Sequence, residues 1–207
     1  MSAVVFDFNG TISDDEPILI QVYQELFEEA GRPMSVDEYL SELAGLTDEE
    51  MLARWFGEAD PALLDERIRR YNVLVADGST IDEDTRAAVR FAAERRPVGL
   101  VTSAHRPEIE PLLDLTGLRS SFTAIVSMED VTHGKPHPEP YLRIAELLDV
   151  PTNELIVFED TEAGVQSAKA AGAYVLALTR TLGPDRLAAA DELVERIDVQ
   201  LLERLCS

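Results

Sequence analysis

The chain has 207 residues, 45% of them hydrophobic, with 40 Asp and Glu against 18 Lys and Arg and a formal net charge of -22. That length suits one large domain or a core domain carrying an insert, and so negative a surface argues against nucleic acid or an anionic membrane as partner. The single cysteine, Cys206, excludes an internal disulfide framework and a cysteine-built metal site. No apolar run approaches the ~18 residues of a membrane helix, and the opening MSAVVFDF lacks a basic region before its apolar stretch, so no signal peptide and a cytoplasmic setting are expected.

In chain order, Ala3–Phe8 comes first as a short apolar strand that ends at Asp7 and breaks into Asn9, Gly10 and Thr11. A helical region then runs from about Ile18 to Ala76. Ile18, Val22, Tyr23, Leu26, Phe27 and Ala30 share one helical face, and Gly31 with Pro33 ends it. Ser35 with Glu38, and Thr47 with Glu50, read as capping boxes, and Asp60 before Pro61 is a further helix start. Beyond this region strands and helices alternate. Val98–Thr102, Ala124–Met128, Leu155–Phe158 and Tyr174–Leu178 read as buried strands. Glu83–Glu94, Pro107–Leu115, Pro138–Leu148 and Glu162–Ala171 read as helices between them. The pattern predicts an α/β doubly wound parallel sheet. The expected division is a core of residues 1–14 and 78–207 with a helical cap, residues 15–77, inserted after the first strand.

Ligands of open parallel sheets gather at the carboxyl ends of the strands. Here those ends carry Asp7 and Asn9, then Thr102 and Ser103, then Lys135 in HGKPHPEPY, then Glu159 and Asp160 in LIVFED. One such carboxylate alone reads as a turn former or a helix cap. An acid, a hydroxyl, an ammonium and an acid pair at four strand ends point to a shared site. Lys135 and Lys169 are the chain's two lysines. Only Lys135 lies among these motifs, and Lys169 is expected on a solvent-facing helix position.

DFNGT, LVTS, GKPHPEPY and VFEDTEAGVQSAKAAG resemble, in order and spacing, the four motifs of the haloacid dehalogenase superfamily in its phosphatase and phosphosugar mutase branch. The likeness runs from Ala3 to about Ala177, and TISDDEP with the helices after it resembles that superfamily's α-helical cap. The resemblance implies a Rossmann-like core and a Mg2+-dependent hydrolase of a small phosphorylated metabolite. It implies Asp7 as the nucleophile that forms an aspartyl-phosphate. Lys135 would neutralise phosphate and steady Asp7, and Thr102 with Ser103 would bind phosphoryl oxygens. Gly10 and Thr11 would sit at the phosphate, and Mg2+ would be held by Asp7, the Asn9 carbonyl, Asp160 and Glu159. A small-molecule partner, no nucleic acid, no membrane, and a monomer or weak homodimer are expected.

Asn9 departs from the pattern, since phosphatases and mutases of this superfamily carry an acid there. An amide cannot exchange that proton, and general acid–base help is worth ~10²–10⁴-fold. An acid restored at position 9 is therefore expected to raise turnover of alkyl phosphates. Two alternatives stay open: a weakened enzyme that serves as a phospho-ligand binding module, and a hydrolase of the dehalogenase-like or phosphonatase-like branch. A mutase fits less well, because Ala44 and Asp48 stand where basic residues are expected. His105 and Arg106 are candidate substrate contacts, with Arg106 preferred. Arg32 and Arg54 are weaker cap candidates, and His133 and His137 read as loop residues.

Overall fold

The computed structural model describes residues 2–206. Six parallel strands form one sheet: β1 (Ala3–Phe6), β2 (Val98–Val101), β3 (Ala124–Val126), β4 (Leu155–Glu159), β5 (Tyr174–Leu178) and β6 (Glu192–Val194). Their order is β3-β2-β1-β4-β5-β6, so β1 and β4 lie at the centre. Val4 is in register with Val98 on one side and Ile156 on the other.

Side chains alternate across a strand, and here both faces are apolar because both are covered. Val4, Phe6, Ile156, Phe158 and Leu176 belong to one core, beneath α5 (Glu83–Ala93), α6 (Arg106–Leu115) and α9 (Val199–Cys206). Ala3, Val5, Leu155, Val157 and Val175 belong to the other, beneath α7 (Glu139–Leu148) and α8 (Glu162–Ala171). The Phe6 and Phe158 rings stack at 4.9 Å between centroids, locking the two central strands.

The α/β parallel architecture agrees with expectation, and details differ: β2 and β3 end earlier, at Val101 and Val126, and α9 is an additional helix. β6 is an additional strand. Its three residues are half-exposed at the sheet edge and carry no apolar run to announce them. β1 stops at Phe6 rather than Phe8, because Phe8 O accepts the N–H groups of Thr11, Ile12 and Ser13 and curls the chain into a turn.

Between β1 and α5 lie α1 (Glu16–Glu29), α2 (Val36–Glu38), α3 (Asp48–Phe56) and α4 (Pro61–Leu74), with a π-helical turn at Tyr39–Leu43. Both capping boxes, Ser35 with Glu38 and Thr47 with Glu50, are formed. Val22, Tyr23, Phe27, Leu43, Leu52 and Trp55 make a third apolar cluster, separate from the two against the sheet. α4 packs on both α1 and α6, so this helical group sits over the carboxyl ends of the strands. Among the described residues no helix is long and apolar enough to cross a membrane.

Candidate active site

Asp7 follows the central strand directly, and its N–H still bonds Phe158 O at 2.9 Å. The site therefore begins on backbone still tied to the central strands. Lys135, carried on the loop after β3, donates from Nζ to Asp7 Oδ1 at 2.5 Å. It also pairs with Glu159 Oε1 at 2.6 Å, and Glu159 accepts a further bond from the Tyr141 hydroxyl. Lys135 is 3% exposed and Asp7 6%, so these charges meet almost without water. Thr102, at the end of β2, accepts Ala104 N–H at 3.0 Å through its hydroxyl oxygen, which leaves its own proton to donate.

Asp160 is fully buried. Its Oδ1 accepts from Thr11 Oγ1 at 3.3 Å, while Oδ2 has no partner. Gly10 permits this arrangement: its φ is +70°, and a Cβ there would lie 1.9 Å from Asp160 Oδ2. Burial pushes Asp7 up to about 7; the Lys135 charge opposes the rise and the Glu159 charge adds to it. Burial, with the charges of Asp7 and Glu159, likewise holds Asp160 well above the usual carboxylate range. Ligand oxygens of Asp7, Glu159 and Asp160 lie within 4.8 Å of one another. Three buried carboxylates, all oxygen donors, one with an orphaned oxygen, fit a hard divalent cation.

A cleft of about 540 Å³, counting its open mouth, leads from these groups toward the helices above. Asp7, Asn9, Thr102, Ser103, Lys135 and Asp160 line its floor. Glu16 and Tyr23 of α1, Tyr39, Asp48 of α3 and Arg67 of α4 line its roof, with Glu108 of α6. Arg67 is 2% exposed and clamped between Asp48 and Glu108, the latter at 2.5 Å, and the Tyr23 hydroxyl also bonds Asp48. The lining thus holds five carboxylates against two cations, and both cations are already paired.

Gly10, Thr11 and Arg106 stand elsewhere than expected, while Arg32, Arg54 and Lys169 keep to surface positions. The Gly10 N–H is not free for a phosphate, because it donates to Asp15 Oδ1 at 3.1 Å. Thr11 is wholly buried and braces Asp160. Arg106, expected at the substrate, is turned onto Asp130 at 2.6 Å and does not line the cleft. His105 bridges Glu49 and Glu129. Arg32 lies over the Trp55 ring and Arg54 stands exposed near Glu42, so Arg67 is the arginine of this helical group that reaches the cleft. Lys169 is tied to both Asp191 carboxylate oxygens at 2.7 Å, anchoring α8 to the sheet edge.

Sequence reasoning missed Asp15, Glu16, Arg67 and Glu108, and named Asp48 only as a departure from the mutase pattern. Arg67 and Glu108 sit in helical patterns where a charge ordinarily faces water, and Asp15 and Glu16 stand at a helix start, where acids are common. Asp15 is buried and accepts from Asn9 Nδ2 at 2.9 Å, from Gly10 N–H and from the Tyr71 hydroxyl. A buried carboxylate one hydrogen bond from Asn9 had no signal beyond the unusual run DDEP.

Residues 4–178 match the haloacid dehalogenase-like hydrolase family. A validoxylamine A 7'-phosphate phosphatase from Streptomyces hygroscopicus subsp. limoneus is 30% identical over 196 residues, covering 92% of each chain. A phosphorylated carbohydrates phosphatase from Thermotoga maritima is 29% identical over 182 residues, 83% of this chain and 82% of the relative. The structure of a β-phosphoglucomutase from Clostridium difficile shares the fold, with a TM-score of 0.84 at 22% identity over 97% of this chain and 93% of that one.

Proposed function

Because the chain belongs to the haloacid dehalogenase-like hydrolases and its curated relatives are phosphatases, we propose that it hydrolyses a phosphorylated carbohydrate through an aspartyl-phosphate on Asp7, with Mg2+ as cofactor. The observation that carries this reading is Asp7 itself. It is buried at the end of the central strand, in contact with Lys135 at 2.5 Å and grouped with Glu159 and Asp160.

An Asp7 carboxylate oxygen attacks phosphorus, the bond from phosphorus to the ester oxygen breaks, and the alcohol departs. Water then attacks the phosphorus of the acyl phosphate and regenerates Asp7. Lys135 favours the ionised nucleophile and draws on a phosphoryl oxygen as a compact ammonium. Thr102 donates its hydroxyl proton to a second phosphoryl oxygen. Asp7, Asp160, Glu159 and the Asn9 carbonyl would hold the divalent cation, which would supply charge neutralisation at the phosphoryl group. Five carboxylates against two paired cations would otherwise repel a phosphate dianion.

The roof of the cleft narrows the substrate. Its cation, Arg67, is committed to Asp48 and Glu108. A second phosphate or a carboxylate on the substrate finds no free positive charge there, whereas hydroxyl groups find acceptors in Asp48, Glu108 and Glu16. That favours a polyol with no further negative charge, in keeping with the phosphorylated carbohydrates named for one curated relative, and disfavours a mutase working on bisphosphates. The helical group, residues 15–77, acts in this reading as the cap that encloses the polyol.

Phosphate release from a panel of polyol, carboxylate and bisphosphate monoesters, with Mg2+ and with chelator, tests the proposal. The polyol esters are expected to turn over only with metal. Asp7→Asn is expected to abolish turnover and the acid-stable phosphoryl mass on the Asp7 peptide. Binding without phosphate release by the wild type would favour the second reading, a phospho-ligand binding module, which the amide at position 9 motivates.

A further inference from the structure

Hydrolysis of an alkyl phosphate ends with an alkoxide that needs a proton, and Asn9 has none to exchange. Its amide is also committed, donating to Asp15 at 2.9 Å. The carboxyl groups that line the cleft can be taken in turn. Asp7 is the nucleophile and pairs with Lys135. Asp160 belongs to the cation group. Asp48 and Glu108 clamp Arg67. Glu16 is left, and none of the described Lys, Arg or His residues pairs with it.

Glu16 owes its position to its neighbours. Asp15 turns inward and is taken by Asn9, Gly10 and Tyr71, so the next residue, the first of α1, faces the cleft beside Pro17. We propose that Glu16 performs the proton transfer that Asn9 cannot. As the bond from phosphorus to the ester oxygen breaks, the Glu16 carboxyl gives its proton to that oxygen. Its carboxylate then takes a proton from the water that attacks the phosphorus of the Asp7 acyl phosphate, which restores the starting state.

The surroundings suit that role. Burial, joined by the charges of Asp15 and Asp7 and opposed by a hydrogen bond from Tyr39, pushes Glu16 up to about 7. The Glu16 charge in turn adds to the raised Asp160, which lines the same cleft. Lys135 and Arg67 line the same cleft but are paired with other carboxylates. A carboxyl group that changes state near neutrality is matched to giving and then taking one proton.

The proposal rests on the phosphatase reading, and the test separates the two. Glu16→Gln keeps the side chain's length and can still accept from Tyr39. Leaving-group release in the first turnover is measured on p-nitrophenyl phosphate, whose leaving group needs little protonation, and on the best alkyl phosphate of the panel. The variant is expected to lose ~10²–10⁴-fold on the alkyl ester and under ~10-fold on the aryl ester. The wild-type alkyl rate is expected to fall as pH rises through the Glu16 transition, and the variant is expected to lack that limb. Equal losses on both esters, or a raised KM with kcat unchanged, overturn the role of Glu16 and leave the phosphatase reading standing. Failure of the wild type to turn over either ester overturns the phosphatase reading, and this proposal with it.

Discussion

Asn9 and Asp15 face each other as amide and carboxylate at 2.9 Å. Burial lifts Asp15 to about 6, while bonds from Tyr71, Ser13, Gly10 and Asn9 pull against that rise and support the charged form. This pair adds a condition to the expectation that an acid at position 9 restores alkyl phosphate turnover. Asn9→Asp alone would set two carboxylates in contact and remove a donor from a buried charge. A hydrogen bond to a charged group contributes ~1.5–3 kcal/mol, and the variant is expected to lose stability of that order at neutral pH. Adding Asp15→Asn reverses the polarity of the pair and is expected to recover most of the loss. Urea unfolding of the two single variants and the double variant gives the coupling directly. Strictly additive costs would show that the two side chains do not act as a unit.

At the level of elements, one buried cation ties the helical group to α6. Arg67 on α4 reaches Asp48 on α3 and Glu108 on α6, so three helices share a guanidinium that is 2% exposed. The Thr47 capping box starts α3 immediately before Asp48 and fixes where that carboxylate stands. Deleting the cation strands two carboxylates in a dry wall, a change that costs ~3–5 kcal/mol when a buried pair is broken. Arg67→Met is expected to fall in that range in denaturant unfolding. Arg54→Ala, on an exposed face of α3, is expected to change stability by under ~0.5 kcal/mol. Similar small costs for both would mean that apolar packing, not Arg67, joins α4 to α6.

Over the whole molecule, the sheet gathers like charge at the carboxyl end of its central strands. Asp7 and Glu159 share the buried Lys135 ammonium, Asp160 lies beside them without a cation partner, and the chain carries an excess of acid, to -22 overall. Their repulsion opposes folding until a cation enters. A ligand that binds only the folded state at a hundred times its Kd stabilises it by ~2.7 kcal/mol. For a chain of this size that corresponds to a rise of about 5–10 °C in Tm. Mg2+ is expected to produce such a rise over chelator. Asp160→Asn is expected to raise the metal-free Tm, by relieving the crowding, and to erase most of the response to metal. A Tm indifferent to Mg2+ in the wild type would sink the assignment of the three carboxylates to a cation.

The amino-acid sequence by itself determined the α/β architecture, because strands buried on both faces must be apolar throughout and VVF, VGLV and LIVF leave little other choice. It also pointed to the side chains that meet around Asp7: Asp7, Thr102, Glu159 and Asp160 follow or end apolar runs, Lys135 lies in the loop after β3, and a parallel sheet brings those ends together. Local rules fixed the starts of α2, α3 and α4, where the capping side chains bond within three residues of themselves. Only the tertiary structure decided the roof of the cleft. Glu16, Asp48 and Arg67 sit in amphipathic helices whose pattern states that a residue is charged, not what it meets. Arg67 is separated from Glu108 by 41 positions and from Asp48 by 19, and no local periodicity spans such distances. The same holds for Asp15, whose burial follows from Tyr71 lying 56 residues away. Motifs made within a few residues were legible in the chain, and contacts closed by long loops were set by the packing of one element on another.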